Sequence, residues 1–397
     1  MMKVSKTQYH SWKAGSLPEG CKRCVKGEKL VLFITGLCSQ RCEFCPVSDR
    51  KLYKDVIYAN ERPIDPKAGD ESVAKAIIEE AAACSATGAG ITGGDPLVRL
   101  DRTVKAIRLL KKRFGKSFHI HLYTPLRLVS EQSLKNLFDA GLDEIRFHPR
   151  IGGRISGPSE SKREWRRVGL AKRYSWAVGV EIPALPGKEE ETRELISFLK
   201  GRIDFLNINE LELADNEVWR REQERDSSLR TKDGFSYAIK GSEELAKRLL
   251  QYSSGLGIRT HYCTCTLKDR VQLAKRVLRR AKNIRLQTDI MDKEGMLTRG
   301  AVYLPSLKPG FGYRKKLSSL NPLEKQKILK KLGSIRDCIA RENSLQKGLL
   351  FIDKDKLRIV TSSAIVRRIR LMAGFERAIV TEYPTFDALE LEVEFLR

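Results

Sequence analysis

Three cysteines, Cys38, Cys42 and Cys45, are separated by three and then two residues within Leu-Cys-Ser-Gln-Arg-Cys-Glu-Phe-Cys-Pro. A zinc site or a complete iron–sulfur site normally takes four protein ligands. Three thiolates in one tight loop can instead hold a four-iron cluster and leave one iron without a protein ligand. An open metal position is where a substrate or cofactor binds. The competing reading is a structural zinc loop that borrows its fourth ligand from elsewhere.

The loop follows Leu30–Ile34, a continuous apolar run that reads as a parallel strand covered on both faces. A second strand-like segment, Ala89-Gly90-Ile91-Thr92, runs into Gly93-Gly94-Asp95-Pro96. Together, Cys38-x3-Cys42-x-Phe44-Cys45 after a first strand and Gly-Gly-Asp-Pro after a second resemble the signature of the radical S-adenosylmethionine (radical SAM) enzymes. The resemblance covers about the first two thirds of the chain. Within the family, the chain is similar to uncharacterised archaeal proteins related to pyruvate formate-lyase activating enzyme.

The resemblance implies a [4Fe-4S] cluster on Cys38, Cys42 and Cys45. Its fourth iron would chelate the methionine part of S-adenosylmethionine, and the reduced cluster would cleave the sulfonium to a 5′-deoxyadenosyl radical. Phe44 would lie against the adenine. The backbone of Gly93, Gly94, Asp95 and Pro96 would meet the methionine amino group, with Asp95 where Glu is commoner.

Strands and helices then alternate. Strand-like His119–Tyr123, Glu144–His148, Val178–Ile182, Phe205–Ile208 and Ile258–Tyr262 are interleaved with helix-periodic segments such as Glu131–Ala140, Glu190–Lys200 and Glu243–Gln251. Repeated βα units predict an α/β fold. The resemblance sharpens this to a partial (β/α)6-type barrel over residues 29–285. Residues 1–28 form a basic N-terminal segment, and residues 286–397 read as a small C-terminal α+β domain. In the latter, Asn321-Pro322-Leu323-Glu324 has the cap, proline and acidic third position of a helix start.

Chemistry in such barrels lies at the C-terminal strand ends. By the resemblance, Arg146, His148 and Glu181 are candidates for the ribose and carboxylate of S-adenosylmethionine. Asn207, Asn209 and Glu210 are candidates to face substrate. The bland reading of each is a satisfied polar strand end.

Cys21 and Cys24, with Cys263 and Cys265, offer a second set of soft ligands for zinc or an auxiliary cluster. Strand one separates Cys24 from Cys38 by roughly 25 Å, which puts Cys24 near the barrel floor. Cys263 and Cys265 belong at the mouth, so the N-terminal segment must fold over the barrel for the pairs to meet. Cys84 and Cys338 fall on helical patterns and read as core thiols.

The 397 residues carry 75 Lys plus Arg against 50 Asp plus Glu, a net charge of +25. That excess favours a polyanionic partner, nucleic acid first, and the bland alternative is a thermophile's charged surface. No apolar run approaches the ~20 residues of a membrane span, and the N-terminus lacks a signal-peptide core. Nine cysteines in short spacings point to metal ligation in a reducing cytoplasm rather than to disulfides. The expectation is a cytoplasmic radical SAM enzyme that takes electrons from a donor and abstracts hydrogen from a substrate, with RNA the first candidate. An activase-like or small-molecule enzyme is the second reading. A non-catalytic iron–sulfur or zinc nucleic-acid-binding protein is the third.

Overall fold

The computed structural model describes residues 2–151, 158–227, 229–234, 236–370 and 374–396. The chain divides into two compact units, Met1–Arg276 and Val277–Arg397. The basic segment 158–170 of the first unit begins just past the undescribed residues 152–157.

The first unit is built on seven parallel strands: β3 (Lys29–Phe33), β6 (Gly88–Thr92), β7 (His119–Pro125), β8 (Glu144–His148), β9 (Ala177–Pro183), β10 (Phe205–Asn209) and β11 (Thr260–Cys263). Six crossovers join them, carrying α2 (Asp70–Ala83), α3 (Leu100–Phe114), α4 (Glu131–Asp139), α5 (Pro158–Trp165) with α6 (Val168–Ala171), α7 (Glu189–Leu199), and α8 (Glu217–Arg225) with α9 (Ser242–Gly255). Strands β3 and β11 are not paired, so the barrel is open.

An open barrel leaves two unpaired edges, which invite non-native pairing. Both are covered by antiparallel strands. Beside β3 lie β4 (Ile57–Ala59) and β5 (Arg62–Ile64). Beside β11 lies β2 (Trp12–Ala14), followed by β1 (Val4–Lys6). The segment 1–28 is therefore part of this unit's sheet, and its helix α1 (Glu19–Cys24) packs against β6 and β7.

Side chains alternate along each strand. Ile145, Phe147, Val178, Val180, Ile182, Leu206 and Ile208 join the apolar layer under the helices. The opposite set, among them His121, Arg146, Glu181 and Asn207, makes a polar barrel interior. Arg146 is 2% exposed and lies between the carboxylates of Glu144 and Glu181. Burying charge is costly unless it is paired, and α1 adds further satisfaction. Gly20 N donates to Glu144 Oε2 at 3.1 Å, and Arg146 Nη2 donates to Cys21 Sγ at 3.5 Å.

The second unit is an antiparallel sheet ordered β14 (Phe351–Asp353), β15 (Arg358–Thr361), β13 (Leu297–Tyr303), β16 (Glu376–Glu382), β17 (Glu390–Leu396), with β12 (Ile290–Met291) paired to β13. One core joins Val302 and Ile359 to α12 (Pro322–Glu342) and α13 (Ser363–Arg368). The chain between contributes α11 (Tyr313–Ser319), and α10 (Ala274–Ile284) runs across the unit boundary. The Asn321–Glu324 capping box forms as expected. Cys84 is buried, whereas Cys338 is half-buried on α12 and donates to Glu342, because its face of the helix lies at the edge of the core.

A Cβ at Gly20 would stand 2.5 Å from Arg146 Nη2 and 2.6 Å from His121 Nδ1. Gly20→Ala is therefore expected to destabilise the first unit by about 1–3 kcal/mol through overpacking. Denaturant melts check this, and an unchanged midpoint would show that α1 does not seat against these groups.

Candidate active site

The cysteine loop leaves the C-terminal end of β3. Its root is fixed by Asp55, which accepts from Thr35 Oγ1 at 2.9 Å, Arg102 Nη1 at 2.7 Å and Arg99 Nε at 3.0 Å. Bonds from Arg102 foremost, against the opposing effect of burial, hold the Asp55 carboxyl at about 2.

Gly93 and Gly94 lie directly against the loop. A Cβ on Gly93 would sit 2.4 Å from Thr35 O, and one on Gly94 2.5 Å from Leu37 O. Glycine is needed here for close approach. The contact is sealed by Gly94 N→Thr35 O and Asp95 N→Leu37 O, both 2.8 Å.

Asp95 is fully buried and its carboxylate is consumed. It accepts from Ser39 Oγ at 2.6 Å, Leu97 N at 3.0 Å and Thr124 Oγ1 at 2.8 Å. Burial raises its pKa and these donors pull it back. Asp95 thus ties the cysteine loop to the ends of β6 and β7, and Pro96 is buried in the turn behind it.

Cys38, Cys42 and Cys45 line one wall of a cavity of about 300 Å³, together with Phe44, Gly93, Gly94, His148, Glu181, Asn209 and Glu210. Arg146 and Asn207 lie beneath it, not in its wall. Arg146 was expected to meet a carboxylate of the cofactor. Its guanidinium instead spends its donors on Glu144, Glu181, the Tyr123 hydroxyl at 3.2 Å and Cys21. Asn207 Nδ2 donates to Glu181 Oε2 at 3.0 Å, and Asn209 Nδ2 to Oε1 at 2.9 Å. Burial alone would raise the Glu181 pKa. Arg146, His148 and the two amides outweigh it and hold the group at about 2. Glu181 is a fixed anion at the cavity floor.

The far wall carries Glu210 and Glu212. Glu210 accepts from Lys232 Nζ at 2.7 Å and from Cys265 N at 2.9 Å. Glu212 accepts from Lys268 Nζ at 2.9 Å. Lys268 lies in a π-helical turn, Leu267–Leu273, a distortion often found at functional sites.

A second metal on Cys21, Cys24, Cys263 and Cys265 is not shown. Among the described residues no three His, Cys, Asp or Glu side chains stand close enough to hold a single ion. The Cys21 thiol is spent on Asn207 and Arg146. Cys263 packs with Val25, Leu267 and Val271. The segment does lie beside β11, as the pairing required, but its register spends the approach on an apolar contact. For Cys38, Cys42 and Cys45 the single-ion criterion is the wrong one. In a four-iron cluster each thiolate binds a different iron, so the sulfurs stand farther apart. The donor set suits that cluster: three thiols on one cavity wall. Gln40 serves two of them, through N–H to Cys38 Sγ at 3.4 Å and Nε2 to Cys42 Sγ at 3.6 Å.

Three residues were missed by sequence reasoning. Gln40 sits inside the loop and carries no spacing signal. Asn216 and Trp219 lie 180 residues or so downstream of it in the β10–β11 crossover, yet they touch the loop. The one available hint was the Asn-Glu pair opening a helix.

Comparison with known proteins agrees with this geometry. Residues 32–199 match the family model described as Radical SAM superfamily. A protein of Methanocaldococcus jannaschii is 38% identical over 381 residues, covering 95% of this chain and 92% of its own length; its provisional name is glycyl-radical enzyme activating enzyme. Two solved structures are more remote. SuiB of Streptococcus suis bound to S-adenosylmethionine has a TM-score of 0.40 and 12% identity, covering 60% of this chain and 50% of SuiB. Coproporphyrinogen III oxidase HemN of Escherichia coli, described as a radical SAM enzyme, has a TM-score of 0.38 and 11% identity, covering 61% and 57%.

Two outcomes test the site. Cys42→Ala is expected to lose the cluster and Cys263→Ala to keep it, read as iron per chain after anaerobic reconstitution. Full iron in the first, or none in the second, would overturn the assignment. For Glu181, the folded pKa of about 2 lies below the ordinary carboxyl value of 4.5. Between these values the unfolded state binds more protons, so the stability from its ionisation is complete above about pH 4.5 and lost as pH falls towards 2. Melting curves of wild type and Glu181→Gln should converge over that window, and parallel curves would disprove it. The glycine-backed cysteine loop, its cavity and the full-length relative make this chain a member of the radical SAM superfamily, an enzyme class that works with a [4Fe-4S] cluster and S-adenosylmethionine.

Proposed function

We propose that this protein reductively cleaves S-adenosylmethionine at a cluster on Cys38, Cys42 and Cys45, and then takes a hydrogen atom from a glycyl residue of a partner protein. The observation that carries the first half is the placement of three thiols on one wall of a cavity whose floor is a fixed anion. The second half is supported by the name of the archaeal relative, which matches nearly the whole chain.

Held on Cys38, Cys42 and Cys45, a [4Fe-4S] cluster would supply the electron for reductive cleavage of S-adenosylmethionine and so the means of abstracting hydrogen from the substrate. One electron per cleavage calls for a reduced donor protein. The chain's own residues bind and orient. Phe44, backed by Trp219 with ring centroids 5.3 Å apart, offers an apolar face to the adenine. Gly93 and Gly94 allow the cofactor's amino group to approach backbone carbonyls. Glu181, ionised with its donors already in place, accepts from ribose hydroxyls and disfavours a carboxylate there. A reducing cytoplasm suits nine cysteines of which the described residues show none in a disulfide. Among the described residues no helix is long and apolar enough to cross a membrane.

RNA modification is the second reading. It is favoured by the stretch Lys308–Arg341, which carries ten Lys and Arg against two acidic residues.

Anaerobic reconstitution should give about four irons per chain and dithionite-driven release of 5′-deoxyadenosine. Zinc without iron and no cleavage would refute the enzyme. Adding tRNA over a salt series decides between substrates. Specific binding, with cleavage stimulated by the tRNA, would transfer the proposal to RNA.

A further inference from the structure

Between Phe33 and Ile57 the chain has no helix or strand, so the cysteine loop takes its shape from what touches it. One flank is the Gly93–Asp95 backbone. The other is α8.

Asn216 is fully buried and caps α8, its Oδ1 accepting from Trp219 N at 2.9 Å. Its amide nitrogen points the other way, into the loop. Nδ2 donates to Cys45 O at 2.7 Å and to Val47 O at 3.0 Å. The next amide, Glu217 N, donates to the Asp49 carboxylate at 3.0 Å, which also meets Arg220 Nη2 at 2.9 Å. Trp219 is 1% exposed and packs on Phe44. One turn of helix therefore grips Phe44, Cys45, Val47 and Asp49, a stretch that contains the third thiol. The barrel does not need α8 for this crossover, because α9 already packs against β10 and β11.

We propose that Asn216 is a positioning residue for Cys45, and that α8 is a strap whose order is coupled to cluster loading. The proposal rests on the cluster reading above. An amide that donates to two carbonyls of an otherwise irregular loop fixes where the third thiolate stands. Groups that orient metal ligands from outside the coordination sphere typically govern metal affinity by about 10–100-fold.

The test uses Asn216→Asp in the full chain. Aspartate caps a helix about as well as asparagine, so Trp219 N keeps its acceptor. It has no donor for Cys45 O or Val47 O and sets negative charge against them. After anaerobic reconstitution, the variant is expected to lose iron to a chelator about tenfold faster than wild type or more, and to show a shifted electron paramagnetic resonance signal when reduced. Equal iron retention and an unchanged signal would overturn the proposal. Should the variant fail to fold, wild type decides through amide hydrogen exchange over residues 216–225. Slower exchange with the cluster than without it is expected, and identical exchange would overturn the strap. A wild-type chain that takes up no iron would remove the cluster reading itself, a separate result from either of these.

Discussion

One buried guanidinium joins the two ends of the barrel. Arg146 stands between Glu144 below and Glu181 above, with the Tyr123 hydroxyl and the Cys21 thiol completing its partners. Desolvating such a group costs several kcal/mol unless every donor is answered. The answers come from α1, β7, β8 and β9 at once. This explains why a short N-terminal helix with little apolar surface belongs to the barrel. Gly20 and Cys21 complete a charge network that the parallel strands alone leave partly exposed. It also fixes the cavity floor, since the arginine that anchors Glu181 cannot move without stranding Glu144.

The cysteine loop obeys the opposite logic. Internal backbone bonds such as Gly36 N→Lys54 O and Tyr53 N→Gly36 O close its base, and neighbours on two sides hold the segment that carries the cysteines. On one side the backbone at Gly93 and Gly94 approaches within the reach of a missing Cβ, and Asp95 spends its carboxylate on Ser39 and Thr124. On the other, Asn216 holds the carbonyls after the third cysteine. A loop shaped this way can present three thiols together without itself being a stable element, and its precision is borrowed from the sheet ends.

The parallel strands and the cluster cysteines were readable in the sequence because each carries a local signal: continuous apolar runs, helical periodicity, and cysteine spacing. The elements that escaped have none. Strands β1 and β2 are three residues each and take their meaning from pairing with β11. Central strand β13 contains Thr298, Arg299 and Gly300, polar or small residues that hide a strand. A Cβ at Gly300 would meet Ser362 O at 2.6 Å, so the glycine there serves packing by α13. The unit boundary at Arg276 falls inside the amphipathic run Val271–Lys282, where periodicity continues unbroken and gives no sign of a division. Arg146 could be placed at a strand end by sequence. Whether it faced the cavity or the floor depended on Glu144 and on a helix more than a hundred residues upstream.

The same network bears on why the cavity suits a cationic cofactor. Glu210 accepts from Lys232, which Glu243 shares, and Glu212 accepts from Lys268. Asp95 is surrounded by hydroxyl and amide donors and faces away from the cavity. At the floor, two carboxylates share one guanidinium, and the surplus negative charge falls on Glu181, the member that reaches the cavity. Burial pushes His121 well down towards its neutral form and also lowers His148, which is itself among the groups that favour the Glu181 anion. Lys29, at the far end of the same interior, is pushed down to about 7 by burial. On the proposed reading, a sulfonium carrying an ammonium and a carboxylate has a net charge of one positive unit. Glu181, held ionised at the floor, has the sign that such a cofactor's positive charge calls for.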